Sequence, residues 1–149
     1  MASERSGVLF RVPARGVPRR PLAGYARRLE TDVAAGRAFC CVVTDDREIR
    51  LLNRRFRKKD EPTDVLSFPS GSNGNSWLGE VVISIDRARQ QARDFGHSTD
   101  VELRVLMLHG VLHLSGLDHA RDHGEMERVE QRWRRRLDLP AGLIERARG

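Results

Sequence analysis

Three of the chain's five histidines fall inside one short stretch, His109-Gly110-Val111-Leu112-His113-Leu114-Ser115-Gly116-Leu117-Asp118-His119. His109 and His113 stand at i and i+4 in an apolar run that reads as helix, which stacks them about 6 Å apart along one face. Gly116 tolerates the left-handed conformation that ends a helix, so the chain turns there and brings His119 back to the same point. Three imidazoles leave a tetrahedral Zn²⁺ one open position, the arrangement of a catalytic site for one ion. His123, four residues past His119, either completes a closed four-histidine site or stands at the start of the next helix.

The spacing His-x-x-x-His-x-x-Gly-x-x-His also matches the ligands of the metzincin proteases. Those enzymes place a glutamate after the first histidine as general base, and here that position is Gly110. Peptide hydrolysis by that route lacks its base. Phosphodiester cleavage depends on such a base less, because the metal itself activates water and neutralises charge on phosphoryl oxygens. Three neutral ligands keep the ion's full charge for an anionic transition state. The formal net charge of +6 agrees with a polyanionic partner.

The elements that must position these histidines follow from periodicity and punctuation. Residues 1–6 read as a loose end, 7–12 as a first strand, and 22–35 as a helix stopped by Gly36. A strand over 38–43 leads to a helix capped by Asp45 or Asp46 and running through Arg57. Residues 65–68 and 79–85 read as strands, joined by a flexible loop over 69–76. Asp86 is expected to cap a helix to Phe95, and Asp100 the helix carrying His109 and His113, whose apolar residues cover almost its whole circumference. An amphipathic helix over 124–137 closes the chain. The expected fold class is α+β: a small mixed four-stranded sheet with about five helices around a buried central helix, zincin-like, with residues 1–149 forming one domain.

A chain of this length buries enough core to fold without a metal or disulfide, which assigns any metal to chemistry. Cys40 and Cys41 are adjacent in an apolar run and read as small buried hydrophobes, so a disulfide framework is excluded and a reducing, cytoplasmic setting is expected. The absence of an apolar run of about 18 residues and of a signal-peptide core points the same way. The run Arg132-Trp133-Arg134-Arg135-Arg136 reads as a solvated helix face with Trp133 turned inward, not as an RNA site.

The histidine stretch resembles the signature His-Gly-x-Leu-His-Leu-x-Gly-Tyr-Asp-His of the YbeY family of bacterial single-strand-specific metallo-endoribonucleases, with Leu117 where tyrosine is usual. Two further blocks are similar to that family: Leu51-Leu52-Asn53 through Arg57 with Lys59-Asp60-Glu61-Pro62-Thr63-Asp64-Val65-Leu66-Ser67-Phe68-Pro69, and Leu78-Gly79-Glu80-Val81-Val82-Ile83-Ser84. The resemblance covers nearly the whole chain. It implies that His109, His113 and His119 are zinc ligands and that Arg57 is an arginine important for activity near the cleft mouth. It also implies a role in 16S ribosomal RNA 3′-end maturation and ribosome quality control, with single-stranded RNA, ribosomal RNA and the small subunit as partners. Leu117 removes a hydroxyl that relatives have beside the site.

Other polar residues carry open or modest readings. Arg57 suits a clamp on phosphate oxygens through its planar guanidinium, and on residue type alone is one of several neighbouring arginines. Asp118 either fixes the tautomer of a ligand imidazole or closes an Asx turn. Glu102 lies about 10 Å along the helix from His109, too far to ligate, and reads as a favourable charge in the first helical turn. His97 reads as a polar helix terminus. Against the zinc endoribonuclease stand a metalloprotease without its glutamate base, and a ribosome-assembly factor that keeps zinc for structure and does no catalysis.

Overall fold

The computed structural model describes residues 5–71 and 76–148. Four strands, β1 (Gly7–Phe10), β2 (Ala38–Thr44), β3 (Val65–Pro69) and β4 (Trp77–Ser84), form one sheet in the order β1-β2-β4-β3. β2 runs parallel to both β1 and β4, while β3 pairs antiparallel with β4 at the sheet edge, so the sheet is mixed as expected. Among the described residues there are six helices: α1 (Arg19–Asp32), α2 (Asp46–Arg57), α3 (Ile85–Phe95), α4 (Thr99–Leu114), α5 (Glu125–Arg136) and α6 (Leu143–Arg148). Among the described residues, no helix is long and apolar enough to cross a membrane.

Strand alternation divides the apolar residues between two layers. Phe39, Cys41 and Val43 of β2, with Val81 and Ile83 of β4, face the main core against α1 and α4. Val42, Leu66 and Val82 face the other way and are covered by Ile49 of α2. Both cysteines are free, Cys41 buried and Cys40 half-buried.

Several boundaries differ from the sequence expectation for local reasons. α1 begins three residues earlier, at Arg19, because Pro21 in the first turn has no N–H to leave unsatisfied there. It ends before Ala35 and Gly36, both at positive φ. Ser84 rather than Asp86 caps α3, its Oγ accepting the Arg87 N–H at 3.2 Å. Asp86 instead accepts the Asp46 N–H at 2.9 Å and ties α3 to the start of α2. Likewise Ser98, not Asp100, caps α4 through the Val101 N–H at 3.1 Å. The expected loose end at 1–6 lies outside the described residues up to residue 4, but Ser6 is buried. Its N–H donates to Glu30 at 2.7 Å and its Oγ accepts the Phe39 N–H at 2.9 Å, stitching β1 to α1 and β2. The flexible reading of the 69–76 loop falls partly on 72–75, outside the described residues; Pro69 itself belongs to β3. α6 is too short to show a periodic pattern and was not expected.

α4 is the central helix, buried along nearly its whole length from Glu102 to Leu114. Its face toward the sheet explains Gly110. A Cβ at this position would lie 2.5 Å from Val81 Cγ1, and Val81 is itself fully buried on β4. Ser67 of β3 donates its hydroxyl to the Gly110 carbonyl at 3.1 Å, holding the sheet edge against the same turn. The position that carries the catalytic glutamate in metzincins is closed here by the sheet.

Gly110→Ala is therefore expected to destabilise the protein by about 1–3 kcal/mol through overpacking, measured as a lowered urea midpoint; unchanged stability would show that the sheet yields to the added methyl.

Candidate metal centre

His109 and His113 project from α4, the first buried and the second half-buried, and His119 stands exposed on the following loop. Gly116, at φ +101°, makes the turn that returns His119 to them. The ring centroids lie 4.8 Å apart for His109 and His113, 5.7 Å for His109 and His119, and 5.5 Å for His113 and His119. One donor nitrogen from each ring lies within 4.8 Å of the other two, so the trio could hold a metal ion. His123 is exposed and lies outside the trio; its backbone N–H donates to Glu125 at 2.6 Å beside the start of α5.

Two further contacts prepare the rings. His109 Nδ1 meets Glu130 Oε2 of α5 at 2.6 Å, with both side chains buried. A carboxylate offers only acceptors, so Nδ1 carries the proton and Nε2 keeps the lone pair a metal needs. The other oxygen of Glu130 accepts the Ile144 N–H of α6 at 3.1 Å. Gly142 permits this approach, since a Cβ there would lie 2.4 Å from Glu130 Oε1. His113 is held below the ordinary histidine range, first by burial and then by the neighbouring His109 and His119, partly offset by a hydrogen bond to the Leu117 backbone. It is accordingly neutral and able to ligate at neutral pH.

Asp118 takes the turn role: its Oδ1 accepts the Ala120 N–H at 3.1 Å, an Asx contact, and Arg121 stands 3.7 Å from Oδ2. The carboxylate that orients an imidazole is Glu130, which sequence reasoning missed. Its signal was a glutamate on the inward stripe of α5, between Met126 and Trp133. Leu117 packs against the main core.

Arg57 reaches the same cleft. A cavity of about 460 Å³ is lined by Arg57, Asp64, Ser67 and the three histidines. Arg57 is the last residue of α2, and Lys58 ends the helix in the left-handed conformation. Buried Asn53 then ties down the following loop, its Nδ2 donating to the Glu61 carbonyl at 2.9 Å. That loop delivers Asp64, whose Oδ1 accepts the Val65 N–H at 2.8 Å. No local sequence pattern marks Asp64 for this place in the cleft.

Glu102 differs from its expected place as an open first-turn charge. It is fully buried and accepts both Nη groups of Arg146 from α6 at 3.0 Å, with Gln91 at 2.8 Å and His97 Nε2 at 2.6 Å. His97 is thus part of a buried network. α6 is anchored by two interior carboxylates, Glu102 through Arg146 and Glu130 through Ile144.

Comparison with known proteins agrees with this architecture. A family model described as endoribonuclease YbeY matches residues 25–138. A protein of Solibacter usitatus named endoribonuclease YbeY is 54% identical over 143 residues, covering 96% of this chain and 95% of the relative. A Koribacter versatilis protein of the same name is 45% identical over 139 residues, covering 93% and 90%. The solution structure of a Thermotoga maritima protein aligns with a TM-score of 0.59 at 28% identity, covering 86% of this chain and 85% of that one.

If Glu130 sets the His109 tautomer, Glu130→Gln lowers zinc affinity by about 10- to 100-fold, whereas Asp118→Asn leaves it unchanged. Competition with a zinc-chelating dye measures both, and equal affinities for wild type and Glu130→Gln would remove Glu130 from the site.

Proposed function

The chain belongs to the endoribonuclease YbeY family, and from that membership we propose that it is a zinc-dependent endoribonuclease that cuts single-stranded RNA. We further propose that it acts in the cytoplasm on the ribosomal small subunit, in 16S ribosomal RNA 3′-end maturation and ribosome quality control. The observation that carries the catalytic reading is the convergence of three imidazoles in one cleft with Arg57 and Asp64. The ribosomal role rests on the family.

In this reading His109, His113 and His119 would hold the ion, which when bound would supply Lewis-acid charge to the reaction. Arg57 binds the non-bridging phosphate oxygens with two parallel N–H groups and so fixes the scissile linkage against the histidines. Asp64 accepts the proton of the attacking hydroxyl, whether from water or from the ribose 2′-oxygen. A new P–O bond forms as the bond to the leaving 5′-oxygen breaks, and that oxygen takes up a proton from solvent to leave as a 5′-hydroxyl. A 2′,3′-cyclic phosphate at the product end identifies the 2′-hydroxyl as nucleophile. The protease alternative loses support here, because Val81 closes the position where its glutamate would stand.

The test is cleavage of a single-stranded ribosomal RNA fragment by identically purified wild type and His113→Ala, with metal content measured on both. Joint loss of metal and cleavage is expected; equal cleavage would contradict the proposal and favour an assembly factor without catalysis. Arg57→Lys is expected to keep its metal while losing about tenfold or more in rate, since lysine cannot make the bidentate contact. A full rate in that variant would end the clamp role.

A further inference from the structure

The cleft has two chemically different lobes on either side of the histidines. The lobe toward α2 and β3 holds Arg57 and Ser67. The lobe toward α3 and α6, about 620 Å³, is walled by Phe95, Leu143, Ile144 and Ala147. Both lobes are lined by Asp64, His109 and His119, which makes them one continuous surface.

Charge assigns an occupant to each lobe. Asp64 is common to both lobes; the Arg57 lobe sets its guanidinium beside Asp64 and Asp118, whereas the second adds Asp122 and Glu127, and its guanidinium, Arg146, is committed through both Nη groups to buried Glu102. A phosphate would be repelled there, so the backbone belongs to the Arg57 lobe. What fits an apolar wall edged with hydrogen-bond acceptors is the flat face of a nucleobase. Phe95 supplies the matching surface: it is a large apolar side chain left 50% exposed at the end of α3. The Arg146 guanidinium lies 4.3 Å from the centroid of its ring, which fixes the ring's orientation by a cation–π contact.

We propose that Phe95 and the α6 wall form a nucleobase subsite that stacks an unpaired base of the RNA next to the scissile phosphate. The proposal rests on the nuclease reading and deepens it. Aromatic platforms hold bases of any identity because every base has a π-face. A base in a duplex is already stacked and paired, and cannot enter such a pocket without being pulled out. The subsite thus selects single strands by shape and not by sequence.

Two readouts on the full-length, zinc-loaded protein test this. In the first, cleavage is compared between single-stranded oligoribonucleotides that are intact or carry one abasic residue, moved stepwise across the cut. Wild type is expected to lose about 5- to 100-fold in kcat/KM when the abasic residue reaches one position beside the cut, matching the contribution of one stacked base. Phe95→Ala loses a similar factor on intact RNA and little more on that abasic substrate, while Phe95→Tyr restores cleavage. Equal losses for Phe95→Ala on both substrates, or no abasic effect at any position in wild type, overturn the subsite.

In the second, a 2′-O-methyl oligonucleotide carrying 2-aminopurine, its intactness checked by gel after each reading, reports stacking directly by fluorescence quenching, with no catalysis required. Quenching by wild type and Phe95→Tyr but not by Phe95→Ala supports the subsite even if no cleavage occurs, in which case the nuclease reading alone fails. Quenching unaffected by Phe95→Ala, or absent in wild type, overturns the subsite.

Discussion

The hydrogen bond between His109 and Glu130 ties the chemistry of this molecule to its fold. A carboxylate buried in an apolar interior is costly unless its oxygens are satisfied. Glu130 meets that requirement with the imidazole on one oxygen and the Ile144 N–H on the other. The same bond that stabilises the buried charge leaves the opposite ring nitrogen of His109 free to ligate. Three elements must therefore be in place together: α4 with the histidine, α5 with the carboxylate, and α6 with Gly142 just before it, whose lack of a side chain lets the backbone approach. Glu102 repeats the arrangement one level deeper in α4, where Arg146 of α6 neutralises it. A six-residue helix near the end of the chain thus bears on the interior charges behind the site.

The second constraint is the closeness of α4 to the sheet. Packing at native density leaves no space for a Cβ at residue 110, so the glycine that looked from sequence like a missing base is a contact point between helix and strand. The consequence is a rigid pair of histidines on a helix buried nearly all round, with the third on a loop that the Gly116 turn returns to them. Asp64, on the loop that Asn53 anchors, lines the same cleft and is the proton acceptor in the proposed mechanism.

Much of this was legible in the residues themselves. The i, i+4 histidines, the glycine turn and the apolar helix around them follow from periodicity and conformational preference, and the strands and helices lie close to where alternation and caps place them. What the sequence did not disclose shares one physical character: it depends on contacts between residues distant along the chain. Glu130 joins His109 across 21 positions and Glu102 joins Arg146 across 44, and no local pattern encodes either pairing. The caps of α3 and α4 went to serines because Asp86 was engaged by Asp46 and Asp100 already lay within the first turn. Ser6 left its expected loose end for the same kind of reason, two hydrogen bonds to elements that begin much later.

The central claim is that a metal held by His109, His113 and His119 makes this protein cut RNA. The most direct measurement strips the purified protein with a chelator and titrates zinc back while following cleavage of a single-stranded RNA. The account predicts no cleavage by the stripped protein and a rise that saturates at one ion per chain. Full activity without metal, or saturable zinc binding that restores the ion but no cleavage, would contradict it.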